Sequence, residues 1–218
     1  MTEHTAKFDV AGVGLTADDY PPLEQGPFDP RALWFPSQRR DHPLEIEIGS
    51  GKGTFLVQQA ALQPGTNFLG IEYAGEFYRY AADRIRRHGL NHVRLLHADG
   101  RDFVQYRLAT ACCDVIHVYF PDPWPKRRHH KRRMIQVASL DAFHRVLIPG
   151  GQVRIVTDHS DYWAWMQDIV AESTSLFEAQ PFCSPDSASD GELVGTNFER
   201  KYRRQGRPFH ATILHRKP

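Results

Sequence analysis

The residues with the clearest chemical meaning lie in one segment, residues 120–126, whose sequence is FPDPWPK. Asp122 is a carboxylate held between two prolines, and Trp124 places an aromatic ring beside it. Six of the eight residues from 126 to 133 are Lys or Arg. A rigid acceptor, a ring that can stack and a run of positive charge together suit a nucleic-acid base and its phosphates. A solvated basic run behind a proline-rich turn is the alternative interpretation.

A second segment, residues 47–53, is rich in glycine and has the sequence EIGSGKG. The phosphate-loop pattern fails, because Ile46 replaces its first glycine and Gly53 replaces the hydroxyl residue that binds magnesium. The dinucleotide pattern GxGxxG also fails, since the third glycine comes one residue early. Glu47 adds a negative charge that favours a cationic ligand, such as S-adenosylmethionine, over a diphosphate. A plain strand-to-helix turn is the alternative.

Acidic residues follow further predicted strands. Glu72 ends a strand at 67–72, Asp99 follows one at 93–97 and Asp122 follows one at 115–120. Because parallel strands end at the same edge of a sheet, these carboxylates and Glu47 should gather there. Glu72 is then suited to a pair of ribose hydroxyls and Asp99 to an adenine amino group. Helix N-capping would explain Asp99 and Asp122, but it would not explain all four acids.

The elements that must position these acids alternate between strand and helix from residue 44 onward. Strands are predicted at 44–48, 67–72, 93–97, 115–120 and 152–156, with further candidates at 177–182 and 209–215. Helices are predicted after the glycine loop, at 75–88 and at 134–147, and an apolar stripe from Tyr162 to Ile169 indicates another. This alternation predicts an α/β fold with a mostly parallel sheet and helices on both faces.

Length and composition set wider bounds. The 218 residues carry a formal net charge of only +1, but residues 1–30 hold six acidic side chains against Lys7 alone. Residues 1–40 also lack periodicity, so we predict an irregular acidic arm there and a single domain at 41–218. The three cysteines have neither CxxC nor metal-ligand spacing, which predicts no metal site and a reducing compartment. No signal peptide or membrane span is visible, so we expect a cytoplasmic monomer or homodimer without a membrane partner.

The motifs, in this order, resemble the bacterial tRNA (guanine-N7-)-methyltransferases from about residue 44 to the C-terminus. The resemblance is carried by EIGSGKG at 47–53, FLGIE at 68–72, Asp99, FPDPWPK at 120–126, TD at 157–158 and TNFE at 196–199. It implies a Rossmann-like class I methyltransferase fold with a seven-stranded, mostly parallel sheet. It also implies S-adenosyl-L-methionine as cofactor, tRNA as partner, and methylation of guanine N7 at position 46 of the variable loop.

The resemblance also implies roles for individual residues, with Asp122 as the catalytic residue where cofactor and guanine meet. The implied cofactor-binding residues are Glu47, Gly49, Gly51, Glu72, Asp99 and Asp122. The implied substrate-binding residues are Lys126, Asp158, Thr196, Asn197, Phe198 and Glu199. The implied RNA-binding residues are Arg128, His129, His130, Lys131, Arg132 and Arg133. The acidic arm departs from the family, whose members usually carry a basic arm before the glycine loop.

The chemistry of guanine N7 fits this set of residues. N7 has an in-plane lone pair and no proton, so its methylation needs alignment and charge stabilisation and no general base. One alternative is a class I methyltransferase for another RNA or DNA base, in which Asp122 would accept an exocyclic amino proton. Another is a non-catalytic RNA-binding relative, against which the retained acids argue. A Rossmann oxidoreductase ranks last, because the glycine spacing is wrong.

Overall fold

One eight-stranded sheet forms the centre of the computed structural model, which describes residues 8–218. The strands lie in the order β1-β4-β3-β2-β5-β6-β8-β7. Their bounds are β1 Gly14–Leu15, β2 Leu44–Ile48, β3 Asn67–Glu72, β4 Val93–His97, β5 Cys113–Tyr119, β6 Leu147–Thr157, β7 Phe177–Gln180 and β8 His210–Arg216. Strands β1 to β6 pair in parallel, whereas β8 is antiparallel to both β6 and β7. The sheet is therefore mostly parallel, with one strand more than the predicted seven.

Helices cover the sheet, and their buried apolar residues pack mainly in two core clusters. Their bounds are α1 Pro30–Trp34, α2 Thr54–Leu62, α3 Gly75–Arg87, α4 Gly100–Tyr106, α5 Val137–Val146, α6 Ser160–Glu172 and α7 Asn197–Arg204. Apolar residues of α2 and α3 pack together in one cluster, and those of α4, α5 and α6 pack in another. Central strands are covered on both sides, and every residue of β3 is buried, as its apolar sequence requires.

The order of the strands creates a crevice at the carboxyl edge of the sheet. From β2 the chain proceeds through β3 to β4 on one side, and then returns to place β5 and β6 on the other side of β2. Ligands of open α/β sheets bind where the strand order reverses in this way, beyond the carboxyl ends of the strands. Here the reversal lies between β2 and β5, which are followed by the glycine loop and by residues 120–126.

Residues 8–40 contain more structure than their lack of periodicity suggested. β1 pairs with β4 at one edge of the sheet, and Trp34 and Phe35 are buried in the larger core cluster. Tyr20, Phe28 and Trp34 form aromatic contacts with Phe103 of α4. Short helical turns and an aromatic cluster, without amphipathic periodicity, attach this region to the sheet and to α4. The first seven residues of the predicted arm lie outside the described residues.

The predicted bounds hold for β2, β3 and β4, and α3 ends one residue earlier than predicted. Gly89, at φ 65°, follows the end of α3 and donates its N–H to the carbonyl of Arg86, as a helix C-cap glycine does. The helix predicted at 134–147 begins only at Val137, because residues 127–132 form a separate 3₁₀ helix. Within residues 8–218, no helix is long and apolar enough to cross a membrane.

Candidate active site

Five carboxylates lie in a row along the carboxyl edge of the sheet. Given the strand order, the row runs Asp99 after β4, Glu72 at the end of β3, Glu47 in β2, Asp122 after β5 and Asp158 after β6. The reversal of strand order divides the row into Asp99, Glu72 and Glu47 on one side and Asp122 and Asp158 on the other. The structure thus brings the predicted cofactor acids and the predicted substrate acids to two adjacent halves of one edge.

A cavity of about 450 Å³ lies over the glycine loop. Its lining includes Glu47, Gly49, Gly51, Tyr119 and Phe198. Gly49 and Gly51 adopt φ of 82° and 52°, a left-handed conformation in which a side chain is disfavoured. The backbone of Gly49 is therefore exposed to a ligand without a side chain in between, whereas Gly51 is buried beside Phe198. A volume of this order suits a cofactor-sized molecule.

Glu47 gives this cavity its chemical character. The side chain is buried, and its Oε2 atom has no hydrogen-bond partner among the described residues. Burial, and to a smaller extent the negative charge of Glu72, raise the pKa of Glu47 to about 8. A buried carboxylate without a cation is unfavourable, so a positively charged ligand in the cavity would be stabilised. The ammonium and sulfonium groups of S-adenosylmethionine fit this requirement.

Glu72 fixes the glycine loop from the neighbouring strand. Its Oε2 accepts the N–H of Gly51 and its Oε1 accepts the N–H of Ala74, both at 2.7 Å. Each carboxylate oxygen can accept a second hydrogen bond, so a pair of ribose hydroxyls can still donate to Glu72. Asp99 is the N-cap of α4, where Oδ1 accepts from the N–H groups of Arg101 and Asp102. The capping explanation for Asp99 is therefore confirmed, and any contact with adenine would be made in addition to it.

The loop that carries Asp122 has an unusual backbone. Phe120 and Trp124 have φ of 52° and 43°, and such left-handed conformations cost about 1 kcal/mol or more outside glycine. Asp122 itself is exposed. The Arg132 guanidinium lies 5.0 Å from the centre of the Trp124 ring, which covers one side of this tryptophan. Strained residues on both sides of Asp122 indicate that the surrounding structure fixes the loop for a function.

Arg133 is one of the contacts that fix this loop, and its burial argues against the predicted role in RNA binding. Only 3% of Arg133 is exposed, and its Nε donates to the Pro123 carbonyl at 2.9 Å. Its guanidinium packs against the rings of Tyr162 and Trp165, at 4.8 and 5.0 Å from their centres. A phosphate cannot reach a side chain enclosed in this way. The remaining charged residues predicted to bind RNA, Arg128, Lys131 and Arg132, are exposed, and His129 and His130 are half-buried.

The segment at 196–199 contains two buried residues that support the local structure and two exposed residues that line the cavity. Glu199 is fully buried, and its carboxylate accepts the N–H groups of residues 193, 194 and 195 and a bond from Arg203. Thr196 caps α7 by accepting the N–H of Glu199 at 3.1 Å. These four donors occupy the carboxylate of Glu199, which argues against the predicted substrate contact. Asn197 and Phe198 are exposed and line the cavity, so they can contact a ligand.

Helix α7 joins the two halves of the site. On the cofactor side, Asn197 Nδ2 donates to Thr54 Oγ1 at 2.9 Å. On the other side, Tyr202 packs against Phe120 with ring centres 5.8 Å apart, and Arg207 donates a hydrogen bond to Asp158. Neither Tyr202 nor Arg207 was predicted from the sequence, since both stand in a basic segment without a recognisable motif.

The cavity lining contains further residues that the motifs did not indicate. Tyr119, Phe55 and Phe77 line it from β5, α2 and α3. Tyr119 OH lies 2.7 Å from Nδ1 of the buried His117, whose Nε2 lies 2.8 Å from Glu45. Burial lowers the pKa of His117, which favours the neutral ring. The position of Tyr119 in a predicted apolar strand could have indicated its burial, but not its direction toward the cavity.

The fold and the site together define a class I methyltransferase that depends on S-adenosylmethionine. The aminoglycoside resistance methyltransferase NpmB1 has a similar crystal structure, with a TM-score of 0.57 over 82% of this chain and 90% of that chain. At 17% sequence identity, this likeness shows the fold alone.

Sequence comparison narrows the class to a family. A family described as putative methyltransferase matches residues 41–212. The tRNA (guanine-N(7)-)-methyltransferase of Halorhodospira halophila is 35% identical over 181 residues, which cover 82% of this chain and 77% of that protein. The enzyme of the same name from Nitrosococcus oceani is 33% identical over 84% of this chain and 74% of that protein. The chain belongs to the tRNA (guanine-N(7)-)-methyltransferase family.

Glu47 predicts a pH dependence of cofactor binding. Because the pKa of Glu47 is raised to about 8 without ligand, the group is mostly protonated near pH 6. A cationic ligand favours the ionised form, so binding releases a proton and affinity should rise with pH until it levels near pH 8. We expect the dissociation constant for S-adenosylmethionine, measured by calorimetry, to fall by up to roughly tenfold per pH unit between 6 and 7.5. Glu47→Gln should bind S-adenosylmethionine weakly, and its affinity should not depend on pH in this way. A variant whose affinity changes with pH as steeply as that of the parent would contradict the role of Glu47.

The position of Glu72 predicts a selective loss of cofactor affinity. Glu72→Ala removes the proposed ribose contact and leaves the N–H groups of Gly51 and Ala74 without their acceptor. We expect cofactor binding to weaken by at least about tenfold, since one lost charged hydrogen bond costs roughly 1.5–3 kcal/mol. Affinity for tRNA, measured by filter binding, should change much less. Equal losses for both ligands would indicate general disruption of the site.

Arg133 and Arg128 should have opposite phenotypes. Arg133→Ala removes the hydrogen bond to Pro123 and the contacts with two rings. The free energy of unfolding should therefore fall by about 2 kcal/mol or more. Arg128→Ala should leave stability unchanged and flatten the salt dependence of tRNA binding by roughly 0.7 to 0.9 in log–log slope. Thermal unfolding and binding at several salt concentrations measure both effects. A change of salt slope in Arg133→Ala without loss of stability would reverse the assignment.

Proposed function

We propose that the protein transfers the methyl group of S-adenosylmethionine to N7 of a guanine in tRNA, at position 46 of the variable loop. The observation that carries this proposal is the division of the carboxylate row. A cavity with an unpaired buried acid lies on one side, and the exposed Asp122 and the mostly buried Asp158 lie on the other. Membership of the tRNA (guanine-N(7)-)-methyltransferase family supports the substrate.

On the cofactor side, Glu47 would face the cationic groups, Glu72 the ribose and Asp99 the adenine. Gly49 and Gly51 would bring their backbone against the ligand, because neither has a side chain and both have positive φ. When bound, S-adenosylmethionine supplies an electrophilic methyl group, which the N7 lone pair attacks as the carbon–sulfur bond breaks onto sulfur. The protein has to hold the base in line with that bond and exclude water.

Asp122 would act by its charge and position. Positive charge passes to the purine ring as N7 is methylated, and a nearby carboxylate stabilises it. N7 carries no proton, so Asp122 need not accept one. The left-handed residues on both sides of Asp122 and the Arg133 contact hold its loop in place, which reduces reorganisation during the reaction.

The tRNA would be held by positive charge on two sides of Asp122. Lys126, Arg128, Lys131 and Arg132 are exposed next to it, in and just before the 3₁₀ helix. Arg200, Lys201 and Arg204 of α7 line the cavity. Both surfaces can contact phosphates, which give affinity without base recognition. Base selection would then be made by the acids and rings between the two surfaces.

One experiment tests the function and the role of Asp122 together. Purified protein is incubated with unmodified tRNA and labelled S-adenosylmethionine, and the nucleosides and their positions are analysed by mass spectrometry. We expect 7-methylguanosine at position 46 from the parent, and turnover lower by on the order of 100-fold for Asp122→Asn. Glu178→Gln, in the exposed edge strand β7, is a matched control that should retain parent turnover.

The products distinguish the possible failures. A different methylated base would replace the guanine N7 proposal with another nucleobase activity. Binding of tRNA without any methylation would favour a non-catalytic RNA-binding protein. Near-normal turnover of a correctly folded Asp122→Asn variant would remove Asp122 from the mechanism.

A further inference from the structure

We infer that the target guanine binds where the Arg207 guanidinium now lies, stacked on Tyr202 with its N1–H and N2–H groups directed at Asp158. This inference rests on the proposed function and assigns two residues that the family motifs do not include. Arg207 thus marks the base pocket and competes with the base for it.

The contacts of Arg207 carry the argument. Its guanidinium carbon lies 4.3 Å from the centre of the Tyr202 ring, the shortest distance of this kind among residues 8–218. The same group donates a hydrogen bond from Nη1 to Asp158 Oδ2. The Asp158 side chain is 11% exposed, whereas the Arg207 side chain is 44% exposed. A planar cation therefore lies on an aromatic face and bonds to a mostly buried acid, while one of its sides is open to solvent.

The backbone explains why Arg207 lies over Tyr202. Gly206, at φ 67°, follows α7, and its N–H bonds to the carbonyl of Arg203. The N–H of Arg207 bonds to the carbonyl of Tyr202 at 3.2 Å. These two bonds form a Schellman motif, which brings Arg207, the second residue beyond the C-cap Gln205, back onto the last turn of the helix. The position of Arg207 is thus set locally, and its side chain can rotate away without unfolding α7.

Guanine and arginine present the same donors to a carboxylate. The Watson–Crick edge of guanine carries N1–H and N2–H side by side, as the edge of a guanidinium carries two parallel N–H groups. Both are planar and stack on aromatic rings. Adenine offers an acceptor at N1 and cannot reproduce the pair. A site in which a guanidinium joins a carboxylate to an aromatic face therefore also suits guanine, with N7 on the opposite side of the ring.

The surroundings of Tyr202 place this pocket beside the cofactor cavity. Tyr202 contacts Phe120 at 5.8 Å and Phe198 at 6.0 Å between ring centres, and both of these residues line the cavity. Partial burial raises the pKa of Tyr202, and the charges of Asp158 and Asp122 contribute in the same direction. Because Arg207 joins the Tyr202 ring to Asp158, a base on Tyr202 would lie beside Asp158 and next to the cavity.

Substitution of Tyr202 tests the stacking. Tyr202→Leu should raise the KM for tRNA by roughly tenfold or more, since stacking of one base is worth about 1–3 kcal/mol. Tyr202→Phe keeps the ring and should restore KM to within about twofold of the parent. Tyr106→Leu, at the exposed end of α4, is the control. The dissociation constant for S-adenosylmethionine should stay unchanged in all three variants. Equal KM values for Tyr202→Leu and the parent, or no rescue by Phe, would overturn the inference.

Substitution of Arg207 tests the competition. Arg207→Ala leaves the Asp158 carboxylate free to accept hydrogen bonds from the base. The KM for tRNA should therefore fall by about two- to fivefold, which corresponds to the free energy of one solvent-accessible ion pair. The slope of log KM against log salt should not change. Arg87→Ala, which removes a similar pair with Asp83 on α3, should leave KM as in the parent. An unchanged KM would overturn the competition, and a higher KM with a flatter salt slope would make Arg207 a phosphate contact.

The activity of the parent protein in the same assay distinguishes failure of the proposed function from failure of the guanine pocket alone. If it forms no 7-methylguanosine in tRNA, the proposed function fails and the guanine pocket fails with it. If the parent methylates tRNA but the Tyr202 and Arg207 variants give the contrary results, only the pocket is wrong.

Discussion

Negative charge gathered at one edge of a parallel sheet is the constraint on which the rest of this structure depends. Carboxylates so close together repel one another unless each has its own compensation. Glu72 is compensated by two backbone N–H groups, Asp99 by the start of α4 and Asp158 by Arg207. Glu47 has no such partner for Oε2 among the described residues. The edge is therefore stable as a scaffold while one buried acid still favours a cation.

Rigidity around Asp122 is obtained from aromatic and cationic contacts, because prolines leave the loop few backbone donors. Arg133 bonds to the Pro123 carbonyl and is enclosed by Tyr162 and Trp165 of α6. Trp165 also donates to the carbonyl of Ile135 at 3.0 Å. The loop is thus attached to a packed helix at Pro123, between the left-handed residues Phe120 and Trp124. A loop held in this way presents its carboxylate without rearrangement.

The sequence was sufficient for seven of the eight strands, all but β1, and for the acids that follow them. Apolar runs set the bounds of β2, β3 and β4, and parallel pairing then required their carboxyl ends to coincide. Burial of charged residues could not be predicted in the same way. Arg133 has the same residue type as Arg132 beside it, and only the packing of α6 distinguishes the buried side chain from the exposed one. Glu199 became a scaffold residue because the loop before α7 turns three N–H groups toward it. Residues 8–40 lacked periodicity because they pack through single aromatic side chains.

Helix α7 contributes to both halves of the site at once. Phe198 lines the cofactor cavity, whereas Tyr202, one turn later, carries Arg207 beside Asp158. A rigid helix transmits a displacement at one end to its other end. We therefore expect the free energies of binding the two substrates to be coupled, and such coupling is reciprocal. If bound cofactor raises the affinity for RNA by some factor, bound RNA must raise the affinity for the cofactor by the same factor.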